Sequence, residues 1–249
     1  STPPKNRYNQ INKLLKAYHP KILLIEKPLS NSHCDALKIK KLLEKKKING
    51  YVNFTRRYNL GLKQVKNFIK NEIPKHINIK YNNGFINYGS HMLDLLLDWF
   101  GEIDYVKYID SENLKENDCN VSFFCKMKKK INVIFQRISG VDFDQFEIEV
   151  FFKNKVILLR NGGAEKYICK IIKSKHYKNY DHLGDYHKLM KQDLVGDLKE
   201  LYKELYRTFS NPKKSVLSTV EESCYNMQVI SKVVESKKKN NKQKIKKII

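Results

Sequence analysis

Apolar residues along the first part of the chain follow alternating helical and extended spacing. Residues 9–18 place apolar side chains on one helical face, and His19-Pro20 ends that helix because the residue before a proline disfavours the helical conformation. The continuous apolar run at 22–25 is typical of a buried parallel strand. A second amphipathic helix at 31–47 and a strand at 51–54 follow. The order helix, strand, helix, strand predicts half of a doubly wound α/β domain.

From residue 59 onward, runs typical of strands dominate. A helix at 60–71 and an extended segment at 77–81 precede an apolar helix over residues 87–100. Several strand-like runs then follow without intervening helices, which predicts an open, mostly antiparallel sheet with helices on one face. Polar residues within 150–156 indicate a hairpin turn. The strand-like runs are 105–109, 120–125, 131–137, 143–152, 156–159 and 167–172.

Two amphipathic helices and a basic tail complete the pattern. The helices are predicted at 187–209 and 216–234, and the second begins at Ser218 or Thr219 with glutamates in its first turn. The lysine-rich residues 236–249 are predicted to be disordered. The predicted fold class is α/β with an α+β second domain. Its two domains are predicted at 1–58, as half of a doubly wound domain, and at 59–235, as an α+β domain.

Charge changes this picture less than its size suggests. The chain has 49 Lys and Arg against 26 Asp and Glu, and its net charge of +23 by itself suggests a polyanionic partner. Only six of these basic residues are arginine, the type that reads phosphates and bases through a planar fork, and 43 are lysine. Joint enrichment in Lys, Asn, Ile and Tyr favours the composition of an AT-rich genome, so we expect no specific nucleic-acid partner.

Cysteines and apolar runs indicate the environment of the protein. Its five cysteines form no C-x-x-C motif and no zinc-type spacing with histidine, which predicts a reduced, cytoplasmic protein with no metal site. No apolar run reaches the length of about 18 residues that spans a membrane. The start Ser1-Thr2-Pro3-Pro4 lacks the charged region of a signal peptide. We therefore expect neither membrane insertion nor secretion.

A polar stripe crosses the otherwise apolar helix at 87–100. Its residues, separated by four, three and four positions, share one face of the helix. Such a stripe faces either a cleft or a strip of solvent, and the spacing alone favours the solvent strip. The stripe consists of Asn87, His91, Asp94 and Asp98.

Two segments resemble the signature of the glucose-fructose oxidoreductase and inositol dehydrogenase family, written Gfo/Idh/MocA. The first is Glu26-Lys27-Pro28, directly after the apolar run at 22–25. The second follows the pattern G-x-x-x-D-x-G-x-H-x-x-D, with Asn87 at the position of the first Asp. The family consists of NAD(P)-dependent enzymes that act on sugars and cyclitols, and its fold is a Rossmann-like domain followed by an open-sheet domain. The residues that match the second pattern are Gly84, Gly89, His91 and Asp94.

The resemblance implies a site for NAD or NADP and for a sugar. It makes residues 1–58 a partial nucleotide-binding domain and residues 59–235 a substrate or oligomerisation domain. It makes His91 the base that removes the hydroxyl proton and Lys27 the group that stabilises the developing alkoxide. Asn87 then orients the imidazole without supplying charge, a role in which Asp94 could compensate. Lys27 taken alone could be a surface lysine before a helix, but Glu26-Lys27-Pro28-Leu29 at this place in the fold is much more specific. Arg57 could equally bind substrate or make a structural salt bridge. The implied cofactor residues are Ser1, Thr2, Pro3, Glu26, Lys27 and Pro28, and the implied substrate residues are Arg57, Tyr58, Asn87 and His91.

The family's glycine-rich turn has no counterpart in this sequence. None of the ten glycines forms G-x-G-x-x-G, and Ser1-Thr2-Pro3 resembles a segment that follows that turn in the family. We therefore predict a chain that covers only the later part of the family architecture and binds NAD(P) weakly or undetectably.

Three functions are compatible with the sequence. The first, which we expect, is a dehydrogenase that acts on a sugar, nucleotide sugar or cyclitol, works as a homo-oligomer and has no membrane partner. The second is a non-catalytic remnant that binds sugar or oligomerises. The third is a basic nucleic-acid binder, and charge is its only support.

Overall fold

The computed structural model describes residues 4, 6–113, 118–189 and 198–246. Six helices and thirteen strands lie within these ranges. The helices are α1 (Arg7–Ala17), α2 (His33–Lys45), α3 (Leu60–Ile69), α4 (Ser90–Phe100), α5 (Leu198–Ser210) and α6 (Val220–Lys239). The strands are β1 (Ile22–Glu26), β2 (Asn49–Asn53), β3 (His76–Tyr81), β4 (Ile103–Asn113), β5 (Cys119–Met127), β6 (Asn132–Arg137), β7 (Phe146–Phe151), β8 (Lys155–Arg160), β9 (Glu165–Lys173), β10 (Asp181–Leu183), β11 (His187–Lys188), β12 (Ser218–Thr219) and β13 (Gln243–Lys244).

The start of the chain forms a parallel pair of strands joined by a helix, as the apolar pattern predicts. β1 and β2 are parallel neighbours, and α2 connects them because a tight turn cannot join parallel strands. Ile25 and Val52 on these strands belong to the main apolar core. Tyr51 instead packs in a smaller cluster with Leu201 of α5. β12, from near the end of the chain, pairs antiparallel with β2.

The second sheet contains ten strands within the described ranges. Its order is β10-β9-β8-β7-β3-β6-β5-β4-β13, and β11 also pairs with β9. β3 lies inside the sheet, parallel to β6 and antiparallel to β7, and the other neighbouring pairs are antiparallel. The predicted hairpin joins β7 and β8, where Phe152 N donates to Lys155 O (2.9 Å). The predicted mostly antiparallel sheet is confirmed.

Helix α6 connects the two sheets. It begins with a capping box, in which Thr219 Oγ1 accepts from Glu222 N (3.1 Å) and Glu222 Oε2 accepts from Thr219 N (2.8 Å). It packs against α2, α4 and β4, and Tyr225 OH donates to Ile103 O (3.1 Å) at the start of β4. One continuous apolar core runs from the small sheet to the large one. The domain limits at residues 58 and 235 stay predictions.

The C-terminal segments differ from the sequence prediction. Residues 187–188 form β11 against β9, so the predicted helix does not start at 187. The described part of α5 runs from Leu198, and residues 190–197 lie outside the described ranges. α6 continues to Lys239, and β13 pairs with β4, where the sequence predicts disorder from 236 onward. Each of these short strands pairs with a segment distant along the chain, so local periodicity does not reveal it. No helix in the described ranges is long and apolar enough to cross a membrane.

Candidate active site

Lys27 and Asn87 meet at the carboxyl end of β1. Lys27 follows the last residue of that strand, and its Nζ donates hydrogen bonds to Asn87 Oδ1 (2.7 Å) and Asn87 O (3.1 Å). The two segments that carry the family resemblance are therefore in contact. Open α/β sheets bind their ligands beyond the carboxyl ends of their strands, which is where this contact lies.

Buried polar side chains hold the loop that carries Lys27. Arg7 in α1 donates from Nη1 to the carbonyl oxygens of Glu26 and Pro28. Asn53, the last residue of β2, donates from Nδ2 to Glu26 Oε1 (3.0 Å). Pro28 is buried and joined to Lys27 by a cis peptide bond. Of the predicted cofactor residues, Glu26, Lys27 and Pro28 thus form this loop, and Ser1, Thr2 and Pro3 lie outside the described residues.

Asn87 lies in a π-helical turn (Phe85–Gly89) that precedes α4. The Asp118 carboxylate accepts hydrogen bonds from the backbone N–H groups of Ile86 and Asn87, both at 3.0 Å. Gly84 begins the turn at φ 94°, where side chains are strained, and a Cβ there would lie 2.1 Å from Asp118 Oδ2. The glycine therefore permits the approach of Asp118. Nothing in the local sequence marks Asp118, because it lies 31 residues from Asn87.

His91 is buried beside this site. The residue is 8% exposed, and its ring packs edge-on against Phe54, with centroids 5.4 Å apart. Its Nδ1 is buried and has no hydrogen-bond partner among the described residues. Burial, together with the positive charges of Arg56 and Lys27, holds the pKa of His91 well below its usual range. The imidazole is therefore neutral at neutral pH.

The environment of Lys27 also lowers its pKa. Burial is the largest cause and the charge of Arg56 adds to it, whereas Glu26 and Asp118 oppose the shift. The hydrogen-bond acceptors of its ammonium are the neutral oxygens of Asn87, so its charge is available to an anionic oxygen. A neutral imidazole and a partly desolvated ammonium thus lie within electrostatic reach of each other.

The remainder of the polar stripe binds Arg57. Nε and Nη2 of Arg57 donate to the two oxygens of Asp94 (2.8 and 2.9 Å), and Nη1 donates to Asp98 (3.4 Å) and Glu222 (3.1 Å). Burial lowers the pKa of Arg57, but the surrounding carboxylates outweigh it and the net shift is upward. Asp94 is 1% exposed, so this part of the stripe faces the interior and not solvent. Both Asp94 oxygens are taken up by Arg57 rather than by His91.

Two of the predicted substrate residues bind other parts of the protein. Arg57, for which both roles were open, makes the salt bridge with Asp94. Tyr58 is 1% exposed, and its OH donates to Asn53 Oδ1 (3.0 Å). Arg56 instead lies close enough to Lys27 and His91 to lower the pKa of both. Residues 55–57 form a 3₁₀ turn, in which successive side chains point in different directions, so sequence proximity does not show which arginine faces the site.

A cavity of about 270 Å³ lies elsewhere, between α4 and the start of α6. Its lining includes Arg57, Glu222 and Tyr225 but neither Lys27 nor His91. Its polar side chains already have partners: Arg57 binds Glu222, and Tyr225 binds the backbone of Ile103. We therefore place the candidate site at Lys27 and His91. The described ranges contain no group of three or more His, Cys, Asp or Glu side chains that could hold a metal ion.

Replacing Asn87 by aspartate should raise the pKa of Lys27. Asn87 Oδ1 lies 2.7 Å from Lys27 Nζ, and a carboxylate at this distance stabilises the ammonium. The pH dependence of Lys27 acetylation, followed by mass spectrometry, reports this pKa. Asn67→Asp, which adds the same charge on the exposed side of α3, is the matched control and should leave the profile unchanged. An identical profile in Asn87→Asp would contradict the hydrogen bond.

Comparison with known proteins bears on the fold. No protein-family model matches the sequence, and no curated protein sequence is significantly similar to it. Solved structures do match. The super-repressor mutant of Gal80p from Saccharomyces cerevisiae has a TM-score of 0.81 at 13% identity, over 98% of this chain and 78% of that chain. An NAD binding oxidoreductase from Klebsiella pneumoniae has a TM-score of 0.79 at 13% identity, over 100% and 79%.

A third match is the WlbA dehydrogenase from Bordetella pertussis, crystallised in complex with NADH and UDP-GlcNAcA. Its TM-score is 0.73 at 12% identity, over 99% of this chain and 78% of that chain. Identities this low establish likeness of fold. The small parallel sheet with its helices and the large open sheet correspond to the two parts that the resemblance implies. The chain therefore has the fold of the Gfo/Idh/MocA-type oxidoreductases, a Rossmann-like domain followed by a large open sheet.

Proposed function

We propose that the chain is an NAD(P)-dependent oxidoreductase that acts on a hydroxyl group of a sugar, nucleotide sugar or cyclitol. The observation that carries the proposal is the pairing of His91, buried and neutral, with the partly desolvated ammonium of Lys27. Oxidation of an alcohol needs a group that takes up the hydroxyl proton and a group that stabilises negative charge on the oxygen. His91 and Lys27 are chemically suited to these two tasks.

The loop Glu26–Pro28 is where the nicotinamide end of the cofactor would be held. It lies at the carboxyl end of a parallel strand, and its position is set by Arg7 and Asn53. When bound, the nicotinamide supplies the hydride acceptor for the carbon that is oxidised. The residues of this loop fit that end of the cofactor.

The protein residues have distinct roles in the proposed reaction. Nδ1 of His91 is buried, which leaves Nε2 as the atom that accepts the hydroxyl proton. Lys27 Nζ donates a hydrogen bond to the same oxygen and stabilises the charge that develops as the proton leaves. Asn87 positions the ammonium through its Oδ1, and Asp118 positions Asn87 through the backbone. Arg57 holds α4, and with it His91, through Asp94.

Similar structures support the proposal without deciding it. The WlbA dehydrogenase was crystallised with NADH and UDP-GlcNAcA, which motivates both the cofactor and the nucleotide-sugar class. The match to the super-repressor mutant of Gal80p is at least as good in geometry, so the fold alone does not determine activity. Assembly as a homo-oligomer and a cytoplasmic location stay predictions.

Replacing Lys27 by methionine should lower turnover by about 10²–10³-fold, the usual effect of removing one group that stabilises an oxyanion. The rate of NADH or NADPH formation is measured at high NAD⁺ or NADP⁺ with glucose, glucuronate, myo-inositol and UDP-N-acetylglucosamine. Lys41→Met removes the same charge at an exposed position of α2 and is the matched control. We expect it to keep the rate of the unmodified chain.

Cofactor binding is followed in the same preparations by NADH fluorescence. No turnover of any panel member at high NAD⁺ or NADP⁺, in a preparation that is folded, would contradict the dehydrogenase and favour a non-catalytic sugar-binding or oligomerisation role. Equal turnover in Lys27→Met and Lys41→Met would remove Lys27 from the mechanism.

A further inference from the structure

Arg56 is held by contacts that leave most of its hydrogen-bonding capacity unused. Its guanidinium carbon lies 4.1 Å from the centroid of the Phe146 ring, and its Nε donates to Gly162 O (3.2 Å). Neither Nη atom donates a hydrogen bond to a described residue. Gly162 approaches closely, since a Cβ there would lie 3.3 Å from Arg56 Nη2. The ring, the carbonyl and the glycine fix the plane of the guanidinium and leave Nη donors for a ligand.

Arg56 also differs from the other arginines in its charge environment. Within the described ranges no carboxylate lies within salt-bridge distance of it. Arg7 donates to the backbone carbonyls at the end of β1. The four remaining arginines each form a salt bridge with a carboxylate: Arg57 with Asp94, Arg137 with Asp110, Arg160 with Glu147 and Arg207 with Glu204.

The charged guanidinium of Arg56 is destabilised by its surroundings, because it is partly buried without a carboxylate partner among the described residues. Burial lowers the pKa of Arg56 to about 10, which shows that its charged form has lost favourable solvation. Its charge also lowers the pKa of Lys27 and of His91, so the candidate active site carries a positive potential. An anion bound there would compensate Arg56 for its lost solvation. It would also reduce the repulsion between Arg56 and Lys27.

We propose that Arg56 binds an anionic group of the substrate, a carboxylate or a phosphate carried by the sugar, next to the hydroxyl that is oxidised. This inference rests on the proposed function, because it takes the reacting hydroxyl to lie at Lys27 and His91. A guanidinium binds an oxyanion through parallel in-plane N–H groups, and the stacking of Arg56 on Phe146 leaves its edge as the binding surface. Arg56 is thus a substrate-selecting residue, and neutral sugars are the poorer substrates.

The phosphates of the cofactor are the other source of an oxyanion, and the position of Arg56 favours the substrate. Its charge lowers the pKa of Lys27, one of the groups proposed to contact the reacting oxygen, and also that of His91. The nicotinamide ring must face the same carbon, and the cofactor phosphates are attached beyond its ribose. An anion at Arg56 is therefore closer to the sugar ring than to the pyrophosphate.

The test compares three sugars in binding titrations followed by NMR, with and without NADH. They are D-glucuronate, D-glucose 6-phosphate and D-glucose. We expect the unmodified chain to bind at least one of the two anions about tenfold or more tightly than glucose, the size of a charge-assisted hydrogen bond. Arg56→Gln should abolish this preference. Arg160→Gln removes the same charge from an exposed arginine paired with Glu147 and should keep the preference.

Equal affinity for the three sugars in the unmodified chain, or an unchanged preference in Arg56→Gln, would overturn the assignment. If Arg56→Gln fails to fold, Arg56→Lys replaces it; the lysine keeps the charge without the planar fork and should weaken the preference, and full retention would overturn the assignment. Loss of NADH affinity in Arg56→Gln with the sugar preference intact would assign the anion to the cofactor. Failure of the proposed function is distinguishable, because it removes turnover from every variant, including Arg160→Gln.

Discussion

Replacing Arg57 by alanine should lower the free energy of unfolding by about 3–5 kcal/mol, because it leaves buried carboxylates without their counterion. Asp94 is 1% exposed and binds Arg57 through both oxygens, while Asp98 and Glu222 share the same guanidinium. The salt bridge joins the turn after β2 to α4 and to the first turn of α6. Urea denaturation followed by circular dichroism measures the change.

Arg160→Ala is the control for this prediction. Arg160 pairs with one carboxylate, Glu147, and its side chain is 52% exposed, so its removal should change the free energy of unfolding by less than about 1 kcal/mol. Similar losses in the two variants would show that the Arg57 cluster is no more important than a surface ion pair. The double variant Arg57→Met with Asp94→Leu should recover part of the loss. It removes the buried Asp94 carboxylate, which the replacement of Arg57 alone leaves without a counterion.

Replacing His91 by leucine should lower turnover by about 10²–10⁴-fold, the usual contribution of a general base. The same change should leave the free energy of unfolding unchanged or raise it. The Nδ1 atom of His91 is buried without a hydrogen-bond partner in the described ranges, and such an atom costs about 1–3 kcal/mol that an apolar side chain does not. Activity and stability should therefore change in opposite directions, as expected for a residue retained for chemistry.

The pH dependence of stability tests the same residue independently of the substrate. Folding lowers the pKa of His91 below the usual 6.5, so the unfolded state binds the proton more readily. The stability that His91 provides in its neutral form is present above pH 6.5 and is lost as the pH falls below it. His91→Leu should show a smaller loss over that acidic range than the unmodified chain, in urea titrations at each pH.

His19→Leu, at an exposed position after α1, is the matched control and should leave turnover and the pH profile unchanged. A His91→Leu variant that loses both stability and turnover to the same extent would indicate a packing role. A variant that keeps full turnover would remove His91 from the mechanism.

The helices and strands near the start of the chain could be predicted because their side chains repeat with a local period. The run at 22–25 and the amphipathic pattern at 31–47 indicated β1, α2 and their parallel connection. The start of α6 was equally local, since the side chains of Thr219 and Glu222 cap the helix that they begin. The strands β11, β12 and β13 could not be predicted in this way, because each depends on a partner distant along the chain.

Within the candidate site, the sequence by itself determined which residue types are present: a lysine after a buried strand, a histidine and two aspartates on an apolar helix, and two adjacent arginines. Only the tertiary structure decided which of these side chains pair with each other and which lie at the candidate site. Arg57 and Asp94 bind each other inside the protein, whereas Arg56 has no carboxylate partner in the described ranges and lowers the pKa of Lys27 and His91. The π-helical turn directs Asn87 towards Lys27. Asp118, the residue before β5, stabilises that turn by accepting a hydrogen bond from the backbone N–H of Asn87. The reason is physical: pKa values and ion pairs depend on burial and on neighbours brought together by folding, and no period along the chain encodes them.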